Sequence, residues 1–372
     1  MSTIFMVSTL TVVTRLIRSM TRRRSAKGSL YIVGMLHKPT VGCLFSGMGG
    51  FASGLSAAGF ELRWANDNDT HAANTFRHRF PGVRFIPDDV QDVRAEDLET
   101  VDVLAGGFPC QSFSQAGDRK GFDDPRGEMF FQIPRLLKEW KPRDRPKLLL
   151  LENVPYLLYG AERDWIAKIR RALLDAGYWF REDYCWTINV REATGIPQDR
   201  ERLFLVAASQ DHFDYNPFRG ISPPSTLPDS RGATVHEIVD RNTQSPKDAY
   251  LPEDNQYYKM ISQEMARGQS TDNLYQLRRN YVREKKDGVC PTLTANMGLG
   301  GHNVPFVRDR WGIRRLSVAE VAQLQGFDAD AALFPEAVPQ VERYRLLGNA
   351  ACPGLAELAA LCCLDVLVEC ES

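Results

Sequence analysis

The chain has 372 residues, of which 43% are hydrophobic, and its formal net charge is −1. This length predicts a large globular domain with a second, smaller one, and the near-zero net charge excludes a general attraction of the whole protein to polyanions. The eight cysteines include no CxxC pair, which argues against a metal site and a secreted disulfide framework. No apolar run without charge approaches 18 residues, which argues against a membrane span.

Residues 1–40 carry seven Lys or Arg residues and no Asp or Glu. Three interpretations fit this composition: an organelle transit peptide, a flexible basic arm that grips a phosphate backbone, or a translational start placed too far upstream, for which Met6, Met20 and Met35 are alternatives. The last is favoured. In each case the folded protein is expected to begin near Val41.

Residues 41–46 form a short apolar run that ends in Gly47-Met48-Gly49-Gly50, and a helical stretch follows. This order of strand, glycine turn and helix satisfies the pattern G-x-G-x-x-A, and Asp67 lies 20 residues after Gly47, behind a strand predicted over 62–66. A carboxylate there can accept hydrogen bonds from ribose hydroxyls. The pattern does not distinguish a dinucleotide from S-adenosylmethionine, and it also fits a tight turn without a ligand.

A second apolar run, residues 101–104, leads into Gly106 and Gly107 and then to Cys110. In open α/β sheets ligands bind outside the carboxyl ends of the strands, so the thiol is placed where chemistry is usual. The alternative is a buried core cysteine, the commoner fate of this residue type. Residues 115–128 are rich in glycine and charge, which predicts a loop that can move over a bound substrate.

The run 147–151 ends at Glu152, and the alternation of strands and helices around it predicts a parallel sheet. Because the carboxyl ends of parallel strands meet at one edge, Glu152 is expected on the same rim as Cys110. The other predicted elements of this part are helices over 70–80, 129–140 and 164–176 and strands over 83–86, 184–190 and 202–208.

After Ala208 the composition changes, and residues 209–310 show little apolar periodicity and few long helices, which predicts a second, irregular domain. Within it, residues 275–286 carry five basic residues and one acid, with two tyrosines interleaved. Solvated surface is the commoner fate of such a run, but phosphate contacts have the same composition.

The last part returns to helical order, with Ser317 predicted to cap a helix over 318–324 and an apolar helix over 353–367 closing the chain. No predicted helix precedes the first strand, so this closing helix is the natural cover for it. That arrangement would bring Asn349 beside Gly47.

Taken in order, these residues resemble the DNA (cytosine-5)-methyltransferases of bacterial restriction–modification systems, over residues 41–367. Six segments carry the resemblance in family order: Phe45-Ser46-Gly47-Met48-Gly49-Gly50-Phe51, Gly107-Phe108-Pro109-Cys110-Gln111, Glu152-Asn153-Val154, Gln198-x-Arg200-x-Arg202, Leu324-Gln325-Gly326-Phe327 and Gly348-Asn349.

The resemblance implies an α/β fold with a Rossmann-like, S-adenosylmethionine-dependent methyltransferase sheet and a small target-recognition domain inserted before the C-terminal motifs. The implied division is a basic extension over 1–40, a catalytic domain over 41–208 and 311–372, and the recognition domain over 209–310.

The chemistry explains the residue types. Cytosine C5 is a poor nucleophile, so a thiolate must first add to C6, and this is the role implied for Cys110. A carboxyl group against N3 can stabilise the charge that develops on the ring, which falls to Glu152. Arg202, with Arg200 beside it, would contact the cytosine O2 or keep the thiol loop electropositive.

S-adenosylmethionine, converted to S-adenosylhomocysteine, is the implied methyl donor. The implied donor contacts are Phe45, Gly47, Gly49, Gly50, Asp67, Asn68, Asp89, Val90, Pro109, Asn349 and Ala350. The implied DNA contacts are Gln111, Ser112, Arg278, Arg279, Arg283, Lys285, Lys286 and Thr292. Asn68 departs from the family, which often has an aromatic residue at this place.

The expected partner is duplex DNA, from which the target base must be flipped out, and the expected setting is the bacterial cytoplasm, at the nucleoid, as a monomer without a metal. Three alternatives remain at this point: an NAD-dependent oxidoreductase built on the glycine turn and Asp67, an RNA cytosine methyltransferase, and a catalytically inactive DNA-binding relative.

Overall fold

A computed structural model of the chain describes residues 37–109, 122, 124–227, 232–268, 270, 272–299, 302–328 and 333–371. Five parallel strands form its centre in the order β3-β2-β1-β4-β5. The chain moves outward from β1 in both directions, and the crevice at such a reversal is where open α/β sheets bind ligands. The strands are β1 (Thr40–Leu44), β2 (Glu61–Asn66), β3 (Arg84–Ile86), β4 (Val103–Gly107) and β5 (Leu148–Asn153).

Helices cover both faces of this sheet, so β5 can be apolar without alternation. Leu148 and Leu150 belong to the core on one face, whereas Leu149 and Leu151 belong to the core on the other. The helices of this part are α1 (Gly50–Ala57), α2 (Thr70–Arg79), α3 (Pro125–Glu128), α4 (Gln132–Glu139) and α5 (Asp164–Asp175).

The prediction of a wholly parallel sheet is wrong at its far edge. Strand β9 pairs antiparallel with β5, and both β6 and β7 pair antiparallel with β9. Buried apolar runs reveal a strand but not its direction. The link from β7 to β9, residues 190–200, holds only a short helix and is shorter than the crossover that a parallel neighbour requires. The elements are β6 (Tyr178–Phe180), β7 (Trp186–Asn189), α6 (Val190–Thr194), β8 (Gln198–Asp199) and β9 (Glu201–Ser209).

The region expected to be irregular contains ordered structure with a core of its own. Its four-stranded antiparallel sheet has the order β11-β10-β13-β14 and packs on helix α8. The sheet runs to Arg315, so the expected boundary at residue 310 falls inside the β13–β14 hairpin. The elements are α7 (Val235–Ile238), α8 (Gln256–Arg267), β10 (Leu274–Leu277), β11 (Val282–Lys285), β12 (Cys290–Pro291), β13 (Pro305–Asp309) and β14 (Gly312–Arg315).

Three helices complete the chain: α9 (Val318–Leu324), α10 (Gln340–Asn349) and α11 (Pro353–Glu371). The predicted cap of α9 is confirmed as a capping box, in which Ser317 Oγ accepts from the Glu320 N–H at 3.2 Å and the Glu320 carboxylate accepts from the Ser317 N–H at 2.6 Å.

The closing helix α11 packs on α1 and β5, and it shares one hydrophobic core with Val41 and Cys43 of β1, the strand that it was predicted to cover. The two helices approach closely because α1 has glycines at the contact: a Cβ on Gly50 would lie 2.2 Å from the Ala351 carbonyl oxygen, and one on Gly54 would lie 2.3 Å from that of Pro353. The helical stretch 340–370 is long and apolar enough to cross a membrane, but 61% of its apolar window is buried inside the protein. Its composition is therefore that of a core helix.

Candidate active site

Two adjoining cavities, each of about 340 Å³, open at the carboxyl ends of β1, β2, β4 and β5. They share four lining residues, Phe45, Asp67, Asn68 and Pro109. The first, which we call the β3-side cavity, is also lined by Asn66, Asp89, Val90, Gln91 and Met129. The second, the β5-side cavity, is also lined by Ser46, Gly47, Phe51, Asp69, Ala72, Gly107, Phe108, Glu152, Arg345, Leu346, Asn349, Ala350 and Ala351.

Asp67 stands where the two cavities meet, and its carboxylate is held by backbone donors. Oδ2 accepts from the Gly47 N–H at 2.8 Å and Oδ1 accepts from the Asp69 N–H at 3.0 Å. Burial raises the pKa of the Asp67 carboxyl above its ordinary value, and the two backbone hydrogen bonds oppose that shift. Each oxygen keeps lone-pair capacity for a further donor in the cavity.

The residues after β3 are positioned by Asn66 at the end of β2. Its side-chain Nδ2 donates to the carbonyls of Ile86 at 3.0 Å and Asp88 at 2.8 Å, which fixes the segment that brings Asp89 and Val90 to the cavity. Asn68, at the place expected for an aromatic ring, donates from Nδ2 to Asp89 Oδ2 at 2.9 Å. The shared wall is therefore polar at this point rather than aromatic.

The three glycines assigned to the donor have different positions. Gly47 lines the β5-side cavity with φ +55°, and a Cβ there would meet nothing within 4 Å. Gly49 has φ +89°, and its Cβ position lies 2.5 Å from the Phe80 ring; Gly50 packs against α11. Only Gly47 of the three contributes to the cavity wall, and the other two allow close packing behind it.

Glu152, on β5, forms the wall of the β5-side cavity next to β4. Its Oε1 accepts from Arg202 Nε at 2.7 Å, and both side chains are largely buried, 13% and 12% exposed. A Cβ on Gly107, its partner in the β4–β5 register, would lie 2.9 Å from Glu152 Oε2. Glycine at position 107 thus leaves room for the carboxylate, and Arg202 fixes its orientation.

The segment that leads to Cys110 is anchored by Asn153, whose Nδ2 donates to the Phe108 carbonyl at 3.1 Å. Pro109, the last described residue of this segment, lines both cavities. Cys110, Gln111 and Ser112 lie outside the described residues, as does most of the predicted loop over 115–128.

Arg200 and Arg202 have different partners. The Arg200 side chain is 1% exposed and does not line either cavity. Its guanidinium donates to the carbonyls of Leu293 at 2.9 Å, Ala350 at 3.0 Å and Gly348 at 3.3 Å. Arg200 therefore joins three backbone segments. Its expected contact with the base or the thiol loop stays a prediction, because Cys110 and most of that loop lie outside the described residues.

Sequence reasoning missed several residues of the cavity walls, notably Asp69 and Arg345. Asp69 Oδ1 caps α2 by accepting from the Ala72 N–H at 2.8 Å, and Oδ2 accepts from Arg345 Nη2 at 2.6 Å. Arg345 precedes Asn349 by four residues in α10, so the two share a helix face. The four-residue spacing from Asn349 could have indicated Arg345 in the sequence. Its partner Asp69 could not be found in this way, because it lies 276 residues away in the chain.

Of the predicted DNA-binding residues that the structure describes, all but Thr292 lie on or next to the β10–β11 hairpin. Arg283 donates to Gln276 Oε1 at 2.7 Å, and Lys285 Nζ lies 3.0 Å from Asp199 Oδ2. Thr292 Oγ1 donates to the Asp199 carbonyl at 2.5 Å, at the junction with the catalytic part. The side chains of Arg278, Arg279 and Lys286 form no ion pair or side-chain hydrogen bond with another described residue.

No group of three or more His, Cys, Asp and Glu side chains that could hold a metal ion occurs within the ranges the structure describes.

A profile of the C-5 cytosine-specific DNA methylase family matches residues 40–362. The chain belongs to this family. It is a DNA (cytosine-5)-methyltransferase, and this assignment excludes the oxidoreductase alternative. Among its relatives, the Type II methyltransferase M.Bsp6I of Bacillus sp. (strain RFL6) is 38% identical over 314 residues, which cover 83% of this chain and 93% of that protein.

A further relative, the Type II methyltransferase M.NgoPII of Neisseria gonorrhoeae, is 29% identical over 336 residues, covering 85% of this chain and 93% of the other. Two solved structures are similar in fold. The Entamoeba histolytica methyltransferase EhMeth has a TM-score of 0.65 at 15% identity, covering 89% of this chain and 99% of that one. The S. pombe Dnmt2 methyltransferase has a TM-score of 0.59 at 16% identity, covering 89% and 98%.

Proposed function

We propose that this methyltransferase transfers the methyl group of S-adenosylmethionine to C5 of a cytosine flipped out of a specific duplex DNA sequence, through a covalent adduct between Cys110 and C6. The observation that carries the proposal is the pair of joined cavities. A ribose-type carboxylate, Asp67, lies in their shared wall, Glu152 lies in the β5-side cavity, and Pro109, directly before Cys110, borders both.

The described residues fit the methyl donor. Asp67 is held with acceptor capacity toward the cavity, Asp89 can accept from the adenine amino group, and Phe45 and Val90 supply apolar surface for the ring. Asn349 and Ala350 close the β5-side cavity. When bound, S-adenosylmethionine supplies an electrophilic methyl group on a sulfonium.

At the base, the proposed steps follow from the residues around the β5-side cavity. The Cys110 thiolate forms a bond to C6, and the electrons of the C5–C6 double bond become available at C5. Glu152 stabilises the ring by a hydrogen bond at N3 while Arg202 holds its other carboxylate oxygen. C5 takes the methyl group, then loses its proton to solvent, and the thiolate leaves as the double bond forms again.

Access to the base requires that the cytosine leave the duplex, because C6 is not within reach of a thiol inside the stack. We propose that the loop over 115–128 closes behind the flipped base, and that the lobe formed mainly by residues 209–310 selects the DNA sequence. Support for the second role comes from the separate sheet of this lobe and the cationic side chains of its β10–β11 hairpin.

The proposal is tested by bisulfite sequencing of DNA from cells that express the protein, with a Cys110→Ser variant as control. We expect 5-methylcytosine at one position of a recurring short sequence with the parent protein and none with the variant. Methylation that persists in the variant would contradict the role of Cys110. The appearance of 5-methylcytosine in RNA but not DNA would contradict the proposed substrate.

A further inference from the structure

The walls of the two cavities carry an unequal distribution of charge. Four carboxylates line them, and among the described lining residues Arg345 is the only Lys or Arg. A sulfonium methyl donor carries two positive groups, which acidic walls suit, but its amino-acid end also carries a carboxylate. That carboxylate needs a cation or N–H donors when water is displaced. The carboxylates are Asp67, Asp69, Asp89 and Glu152.

Arg345 is held in place before any ligand arrives. Its Nη2 lies 2.6 Å from Asp69 Oδ2 and its Nε lies 2.5 Å from Glu342 Oε2. Asp69 is itself fixed as the N-cap of α2. These bonds use two of the five guanidinium N–H groups, and the side chain is 34% exposed and lines the β5-side cavity.

The order of groups along the cavities indicates which end of the donor meets Arg345. With the ribose at Asp67 and the adenine against Asp89 and Val90 in the β3-side cavity, the remaining part of the molecule must extend into the β5-side cavity. That cavity holds Glu152 at the wall assigned to the base and Asp69 with Arg345 at another. The amino-acid end therefore meets an adjacent acid and base.

On this basis, and given the proposed function, we propose that the Asp69–Arg345 pair is the recognition site for the zwitterionic amino-acid end of the methyl donor. Arg345 binds the carboxylate and Asp69 attracts the ammonium group. A purely structural role is the competing explanation, because a partly exposed ion pair between α2 and α10 can also serve only to hold the two helices together.

Calorimetric binding of two ligands distinguishes these roles: S-adenosylhomocysteine, and its analogue that lacks only the carboxylate. Arg345→Gln should weaken S-adenosylhomocysteine about ten- to a hundred-fold, the effect of one charge-assisted contact, and leave the analogue within about two-fold. Arg345→Lys should lose less, because it keeps the charge without the planar fork.

Arg343→Gln is the matched control on the same helix. Arg343 donates to the carbonyls of Val338 at 2.8 Å, Glu336 at 3.2 Å and Pro335 at 3.3 Å and lies outside both cavity walls. It should leave the ratio of the two affinities unchanged, whatever it does to the melting temperature.

An equal loss of both affinities in Arg345→Gln would overturn the inference in favour of a structural role, and an unchanged affinity for S-adenosylhomocysteine would also overturn it. Failure of the parent protein to bind either ligand would instead overturn the proposed function. The ratio between ligands thus separates the two failures.

Discussion

Arg200 and Arg202 stand two positions apart, and in a continuous strand their side chains would share a face. The strand is interrupted at Arg200, which separates β8 from β9, with its N–H donating to the Gln198 carbonyl at 3.0 Å. One guanidinium consequently enters the junction of three backbone segments, and the other reaches Glu152. The same motif therefore places one arginine at a buried backbone junction and the other against Glu152, to which we assign a structural and an active-site role respectively.

This division predicts opposite consequences for two substitutions. Arg200→Met would leave three buried carbonyls without their donor, at about 1 kcal/mol or more each, so the free energy of unfolding should fall by about 3 kcal/mol. Arg202→Lys should retain more of the stability but lose turnover, because a point charge does not reproduce the Nε contact to Glu152. Urea unfolding and methyl transfer, measured together on both variants, check this. A larger loss of stability in Arg202→Lys than in Arg200→Met would contradict the assignment.

Asp67 gives a prediction about pH. In the proposed complex, ribose hydroxyls donate to the ionised Asp67 carboxylate, and burial raises the pKa of this group above the ordinary value of 3.8. Affinity for S-adenosylhomocysteine should be complete above that raised pKa and fall as the pH drops through it. Asp67→Asn should weaken binding about ten- to a hundred-fold at pH 8 and remove this dependence. Calorimetry across pH on the parent protein and on Asp67→Asn tests it, and a pH dependence that survives in Asp67→Asn would rule out Asp67 as its source.

At the scale of elements, the β10–β11 hairpin presents its cations unequally. Arg278, Arg279 and Lys286 remain available for phosphates, whereas Arg283 and Lys285 are engaged with Gln276 and Asp199. Alanine at each of the first three should reduce the slope of log affinity against log salt by about one unit on every DNA sequence. Alanine at Arg283 or Lys285 should change this slope less, because both side chains already have a partner in the protein.

Binding of cognate and scrambled duplexes across a salt series measures these slopes. Alanine at the exposed Arg143, which lies outside residues 209–310, is the control. If all five alanine variants kept the parent slope, the hairpin would be ordinary solvated surface. If the loss were confined to one sequence, the side chain concerned would read a base instead.

Elements with strong local signals were predictable, and those that depend on distant partners were not. The Ser317 cap, the strand before Gly47 and the closing apolar helix follow from capping chemistry and periodicity, and the structure has them. The direction of β9 and the sheet of the second lobe escaped prediction. The strands of the second sheet are short, and both their pairing and the direction of β9 are set by partners that local composition does not specify.

At the scale of the whole molecule, the two lobes are joined by buried polar contacts near the cavities. Gln198 donates to the Leu324 carbonyl at 2.5 Å and accepts from the Leu293 N–H at 3.1 Å, and β12 pairs in parallel with β8. The motif residues could be found in the sequence, but this joint, like the Asp69–Arg345 pair, depends on side chains brought together only by the fold. The order of motifs in the sequence therefore predicted the family and its enzyme activity, but not the contacts that support the site.

Methyl transfer through a Cys110 adduct can be tested by trapping the covalent complex between the enzyme and its DNA substrate. A long duplex made with 5-fluorodeoxycytidine contains every short recognition sequence, so the site need not be known. Fluorine at C5 cannot leave as a proton does, and the enzyme should remain bonded to the methylated base.

Mass spectrometry of the denatured, digested complex is the measurement. We expect a modified cytosine attached to the peptide that contains Cys110. It should form only when S-adenosylmethionine is present and should be absent from Cys110→Ser. An adduct on another cysteine, or methylation of ordinary duplex DNA by Cys110→Ser at the parent's rate, would contradict this expectation.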